Sequence, residues 1–167
     1  MKVLVVSDTH APRRWKAMPD ALRAPLAEAD VILHAGDVCV PGVLAELAAS
    51  APLHVVLGNN DGPDIAAWPA PERLELDLGG VRVAMIHDAG AKAGRGRRMR
   101  RMFPDADVVV FGHSHIPMDV VEDGVHLFNP GSITDPRRER IGSYGWLELV
   151  GGEVVHHEIV RVGTPPR

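Results

Sequence analysis

Five times along this chain an apolar run stops and hands over to Asp, Asn or His. Met1–Val6 ends in Ser7-Asp8-Thr9-His10, Val31–Leu33 leads into His34-Ala35-Gly36-Asp37, and Leu53–Leu57 ends in Gly58-Asn59-Asn60-Asp61. Val81–Ile86 ends in His87-Asp88, and Val108–Phe111 stops at Gly112 and delivers His113 and His115. Short branched runs of this kind read as buried strands that break into loops. In open α/β sheets ligands bind beyond the carboxyl ends of the strands, so five such ends can converge on one site.

The segments between these runs say what flanks the strands. Trp15–Asp30 is rich in Ala and Leu and predicts helix in pieces, because Pro19 and Pro25 interrupt it and an interior Pro costs about 3 kcal/mol. Pro41–Ser50 predicts a short helix with Pro in its first turn, and Pro63–Pro71 a loop or a single helical turn. Arg73–Leu78 and Val81–Ile86 alternate apolar and polar residues around Gly79-Gly80, a hairpin signal. Ala89–Met102 reads as a helix that starts late. Pro117–Glu122 and Val125–Asn129 flank a second turn at Asp123-Gly124, and Asn129-Pro130-Gly131-Ser132 is a tight turn by composition. Tyr144–Val150 and Glu153–Val160 form a last hairpin across Gly151-Gly152, and the tail from Gly163 is expected to fray. Strand–helix alternation followed by hairpins predicts mixed sheets flanked by helices, two layers of strand deep. No repeat, linker or low-complexity segment divides the 167 residues, so a single domain over 1–167 is expected.

Composition narrows the classes. With 46% hydrophobic and 24% charged residues the chain is ordinary for a globular protein rather than disordered. A net charge of −4 excludes the global basic field of a general nucleic-acid coater. The single cysteine, Cys39, excludes an internal disulfide framework and fits a reducing compartment. Cys39 follows Asp37-Val38 and could lie near the site, but a small buried filler is the usual role of a free Cys. No apolar stretch approaches the roughly 20 residues that span a bilayer. The first strand already carries candidate ligands, which argues against a signal peptide. A cytoplasmic location without membrane contact is expected.

Asp8, His10, Asp37, Asn59, His87, His113 and His115 together supply two carboxylates, one amide oxygen and four imidazoles. Seven ligands exceed one tetrahedral zinc and suit a pair of metals sharing a carboxylate. A glycine precedes Asp37, Asn59 and His113, allowing a sharp exit from the strand and a close backbone approach to an ion. Two dications against two carboxylates leave a positive site that attracts phosphate. Hydrolysis of a phosphate ester follows from that charge. Each fragment alone, Asp-x-His or His-x-His, arises by chance; their joint occurrence, always at the end of an apolar run, carries the metal reading. Ligation by nitrogen and oxygen without thiolate admits manganese, iron, nickel or zinc.

The set DTH, GD, GNxD, H and GHSH, followed by NPGS, resembles the calcineurin-like metallophosphoesterase superfamily, and within it the short YfcE-like phosphodiesterases. The likeness runs from Val3 to Ser132. It implies a four-layer α/β/β/α sandwich of two mixed sheets and a phosphodiesterase that uses two divalent ions, manganese first, with a bridging hydroxide attacking phosphorus. It also implies that Asp8, His10, Asp37 and His115 hold one ion and Asp37, Asn59, His87 and His113 the other, with Asp37 shared. Asn59 and His87 then also face the substrate, and His87 takes part in catalysis.

Two departures stand out. Many relatives carry a His after the asparagine that protonates the leaving oxygen; here Asn60 and Asp61 occupy that stretch. Asp61 is the candidate acid if its pKa is raised, and a turn cap otherwise. Relatives also show His-Gly where this chain has His87-Asp88, so Asp88 either orients a neighbouring ligand or narrows the pocket. The basic run Lys92–Arg101 offers Arg95 as a contact for the distal part of an anionic substrate, although such runs are more often solvated helix faces. His34 is a candidate site neighbour, while His54, His126, His156 and His157 carry no motif and read as structural or solvated. Trp146 and the last hairpin suit either a homo-oligomer contact or the core. The expected partner is a small phosphate ester. The rival readings are a non-catalytic scaffold on the same fold, as the retromer small subunit resembles, and a nuclease using Arg95–Arg101.

Overall fold

The computed structural model describes residues 1–163, so the expected fraying beyond Gly163 lies outside the described residues. Along the chain come β1 (Lys2–Val6), α1 (Asp20–Glu28), β2 (Val31–His34), α2 (Pro41–Ala48), β3 (Leu53–Val55) and a short α3 (Pro63–Ala66). Next are β4 (Arg73–Leu78), β5 (Val81–Ile86), α4 (Arg95–Met102), β6 (Val108–Val110), β7 (Met118–Glu122) and β8 (Val125–Asn129). A 3₁₀ turn at Arg137–Glu139 precedes β9 (Gly142–Val150) and β10 (Glu153–Val162).

The strands form two mixed five-stranded sheets, ordered β10-β9-β1-β2-β3 and β4-β5-β6-β8-β7. In the first, β1, β2 and β3 are parallel and the β9–β10 hairpin adds antiparallel beside β1. In the second, β5, β6 and β8 are parallel between antiparallel edges β4 and β7.

The layering follows from which residues each strand buries. Leu4 and Val6 of β1 pack with Leu22 and Leu26 of α1 and Leu44 and Leu47 of α2, while Val3 and Val5 turn the other way. Those two meet Met85, Val110 and Phe128 of the second sheet, and Val109 and Leu127 on its far side pack on Met99 and Phe103 at α4. Three apolar layers therefore separate four structural layers, α/β/β/α. A strand buried on both faces must be apolar at every position, which is why β1 reads as an unbroken run.

The three predicted hairpin turns form as expected: Gly79-Gly80, Asp123-Gly124 and Gly151-Gly152 each have both residues at positive φ, as a type I′ turn requires. One expectation fails. The segment 15–30 is not helix in pieces: it is non-helical up to Pro19 and then one helix with Pro25 inside it. Ala21, whose carbonyl loses its partner to Pro25, is exposed, so water can serve it, and buried Leu22 and Leu26 hold the helix to the sheet. Trp146 is half-buried and packs against the first apolar layer beneath Lys2. None of the described helices is long and apolar enough to cross a membrane.

Candidate metal centre

The loops after β1, β2, β3, β5 and β6 meet at one end of the two sheets. Asp8 N donates to the Gly36 carbonyl and His10 N to that of Asp37, so the first two loops are tied together. Asp8, His10, Asp37, His113 and His115 all have φ between 47° and 66°. Non-glycine residues rarely adopt this left-handed conformation, and it persists only where surrounding structure enforces it, commonly at functional sites.

All seven predicted ligands come together, in two groups. In the first, His115 Nε2 lies 3.4 Å from Asp8 Oδ1 and 3.2 Å from His10 Nε2. In the second, Asn59 Oδ1 lies 3.1 Å from His87 Nε2 and 2.9 Å from His113 Nδ1. Asp37 joins them: its Oδ2 is 3.6 Å from His10 Nε2 and 3.4 Å from His87 Nε2.

This donor set fits cations. His87 Nδ1–H donates to the Ala35 carbonyl at 2.7 Å, and His115 Nδ1–H to that of Asp135. Each neutral ring therefore turns a lone pair on Nε2 toward the centre, the tautomer a metal ligand needs. Those lone pairs face Asn59 Oδ1, Asp37 Oδ2 and Asp8 Oδ1, all acceptors, and acceptors facing acceptors call for positive charge between them. Asp8 Oδ1 is buried and is the one such side-chain atom among the described residues without a hydrogen bond. Burial pushes the Asp8 carboxyl up to about 7. At Asp37 burial acts in the same direction, but the facing His87 imidazole and the hydrogen bonds from Asn60 outweigh it and hold the group below the usual carboxylate range. Burial lowers the proton affinity of His87, and the facing Asp37 carboxylate more than restores it.

Asp61 is a correction to the reading of it as an acid. Its carboxylate accepts from the backbone N–H groups of Asp37, Cys39 and Gly58 at 3.0, 2.7 and 2.8 Å. Both oxygens are committed as acceptors, so Asp61 braces the loop that carries Asp37. Asn60 is the neighbour the sequence did not single out: its N–H and side-chain amide donate to the two Asp37 oxygens at 2.8 and 2.7 Å. Also missed were Ser132, whose hydroxyl donates to the Asp8 carbonyl, and the Asp135 carbonyl on His115. The NPGS turn was the signal for them.

Gly112 and Gly58 also admit the close approach of a neighbouring loop. A Cβ at Gly112 would fall on Ser7 Oγ, and one at Gly58 on the Asp37 backbone nitrogen and Oδ1. What approaches closely is the next strand-end loop. His34 is fully buried below the centre: its Nδ1 accepts from Gly36 N and its Nε2 pairs with Thr9 Oγ1. Burial lowers it to about 3, so it is a neutral post between two loops. Cys39 is no core filler: it is half-buried with Sγ 3.8 Å from His10 Nδ1. Asp88 caps its own turn through Gly90 N and sits 3.9 Å from the half-exposed His113 ring.

Arg95 does not point at the centre as a substrate contact. Its guanidinium donates to the Gly90 carbonyl and lies over the Phe111 ring at 4.8 Å. Arg98 donates to the carbonyls of Ala89 and Ala91. These cations satisfy the loop between β5 and α4, which leaves part of the basic run structural.

The family model of the calcineurin-like phosphoesterase superfamily domain matches residues 1–152. The chain belongs to that superfamily. Its members are phosphoester hydrolases that bind divalent metals. A probable metallophosphoesterase of Methanothermobacter thermautotrophicus is 34% identical over 168 residues, covering 99% of this chain and 95% of that protein. Among solved structures, a Thermotoga maritima protein is 34% identical with a TM-score of 0.75, over 96% of this chain and 99% of that one. A structure described as a novel archaeal phosphodiesterase gives 0.75 at 22% identity, over 97% and 100% of the two chains. Zinc-bound Vps29 of Entamoeba histolytica gives 0.77 at 23%, over 97% and 98%. These last two likenesses show the fold alone. The superfamily's two-sheet architecture is the one built here from three apolar layers.

Proposed function

We propose that this superfamily member is a dinuclear, divalent-metal-dependent phosphodiesterase acting on a small phosphate ester, with manganese the first metal to test. The observation that carries the reading is Asp37, one carboxylate facing both clusters through His10 and His87. Asp8, His10, Asp37 and His115 would hold one ion, and Asp37, Asn59, His87 and His113 the other. Two dications there would acidify water and neutralise charge developing on the phosphoryl oxygens. The chain itself orients the ligands: Ala35 and Asp135 fix two imidazole tautomers, Asn60 and Asp61 fix Asp37 and its loop, and His113 marks the solvent-open side.

Two features favour diesters. The Asp88 carboxylate beside His113 repels a dianionic monoester more than a monoanionic diester. With Asp61 committed, the Asn59–Asp61 turn offers no proton donor, so esters with good leaving groups are the expected substrates. A one-domain enzyme in a reducing, cytoplasmic setting completes the reading, supported by the single thiol.

The test is hydrolysis of an aryl phosphodiester beside the matching monoester by metal-free protein, with and without manganese. Manganese-dependent turnover, faster on the diester, is the expected result. Metal binding without turnover on either ester would contradict it and favour a non-catalytic scaffold.

A further inference from the structure

Away from the candidate centre, Asp119 of β7, His126 of β8 and His157 of β10 converge on one point. Asp119 Oδ1 is 2.6 Å from His126 Nε2 and its Oδ2 is 2.7 Å from His157 Nδ1. The two rings lie 4.8 Å apart at 68°. One ligand atom from each residue falls within 4.8 Å of the other two.

The register explains how three strands from two sheets deliver them. Asp119 pairs with Phe128, which lies in the apolar layer between the sheets, and His126 is two residues from Phe128 on the same face. His157 pairs with Leu147, which belongs to that layer too. A register shift in β10 between Val154 and His156 sets the phase of the strand, so that His157 rather than His156 faces inward. His126 is buried and its ring meets Phe128 edge-on, while His157 is half-exposed and leaves one side open to water.

We propose that Asp119, His126 and His157 form a further divalent-metal site, of the chemistry that takes zinc, joining the edge of the first sheet to the second. Two imidazoles and one carboxylate with an open fourth position are a zinc ligand set. A hydrogen-bonded clasp between two strands needs one imidazole on the carboxylate, and here two share it from opposite sheets. The site is separate from the candidate centre. His126 is level with Val108 at the start of β6, and His157, through Leu147, with Val3 near the start of β1. The candidate centre lies beyond the other ends of those strands. The ion would act as a staple, stabilising the folded chain in proportion to its occupancy.

The test uses the full chain carrying Asp37→Ala, which disables the shared ligand of the candidate centre, with and without His157→Ala. After equilibration with zinc, the His157 chain is expected to retain about one more zinc than its variant. Zinc should raise its melting temperature, and His157→Ala should remove that shift. Asp119→Asn, which preserves the shape of the side chain, should remove both as well. Equal zinc content with and without His157, or a zinc-dependent shift that survives both substitutions, overturns the proposal. Ester hydrolysis by otherwise wild-type His157→Ala should match wild type, so failure here is distinguishable from failure of the phosphodiesterase reading.

Discussion

Asp37→Ala is expected to abolish manganese-dependent ester hydrolysis and to leave the candidate centre unable to hold a pair of ions. Removing a residue that merely orients a metal ligand costs about 10–100-fold in affinity or activity. Asp37 faces both clusters directly, so the loss should exceed about 100-fold and extend to both ions. The substitution also strips the acceptors from Asn60 N and Nδ2, which lie 2.8 and 2.7 Å away. Unpaired donors of this kind cost about 1–3 kcal/mol. Asp37→Asn separates the two effects: it preserves the shape and one acceptor but not the charge, so it should fold close to wild type and still fail in turnover. Steady-state assays with metal content measured on the same samples check both variants.

Gly58→Ala is the second large effect, and it acts by steric exclusion. Gly58 does not have positive φ, so alanine is acceptable to its own backbone. The obstacle is Asp37, whose backbone nitrogen and Oδ1 occupy the space of a Cβ. One is backbone and the other a side-chain oxygen held by Asn60 N, and the Asp61 brace keeps that loop from yielding. Overpacking costs about 1–3 kcal/mol, and a rigid neighbour places this case near the upper end. At this chain length that is roughly 6–12 °C in melting temperature. Turnover should fall as well, since relief requires Asp37 to move. Gly42 in α2 has no atom within 4 Å of the corresponding position, so Gly42→Ala should instead stabilise by about 0.5–1 kcal/mol. Thermal melts of the two alanine variants beside wild type read the opposite signs.

The candidate centre was legible because its signal is local. A strand buried on both faces must be apolar throughout, and the residue at which it ends is fixed by that run, so Asp8, Asp37, Asn59, His87 and His113 could each be placed from their own neighbourhood. The hairpins were legible for the same reason, through Gly79-Gly80, Asp123-Gly124 and Gly151-Gly152. What the sequence left open depends on contacts between distant segments. Nothing near Asp61 announces that three backbone N–H groups from two loops will converge on it. Nothing in the last hairpin says that β9 returns beside β1 rather than joining the second sheet. The Asp119–His126–His157 cluster is invisible for this reason: Asp119 and His126 share one hairpin, but His157 joins them only when the two sheets stack. Arg95 and Arg98 show a different limit. Their charge predicts a solvated or ligand-facing run, whereas the carbonyls they satisfy belong to a loop whose path the sequence does not reveal. Pro25 shows that buried Leu22 and Leu26 can override a local helix penalty.

The most direct test of the dinuclear centre is a crystal grown with manganese and measured for anomalous scattering. The expected result is two peaks at the ends of β1, β2, β3, β5 and β6, one among Asp8, His10, Asp37 and His115 and one among Asp37, Asn59, His87 and His113. A single peak, or none among these seven residues in crystals of protein that binds manganese, would contradict it.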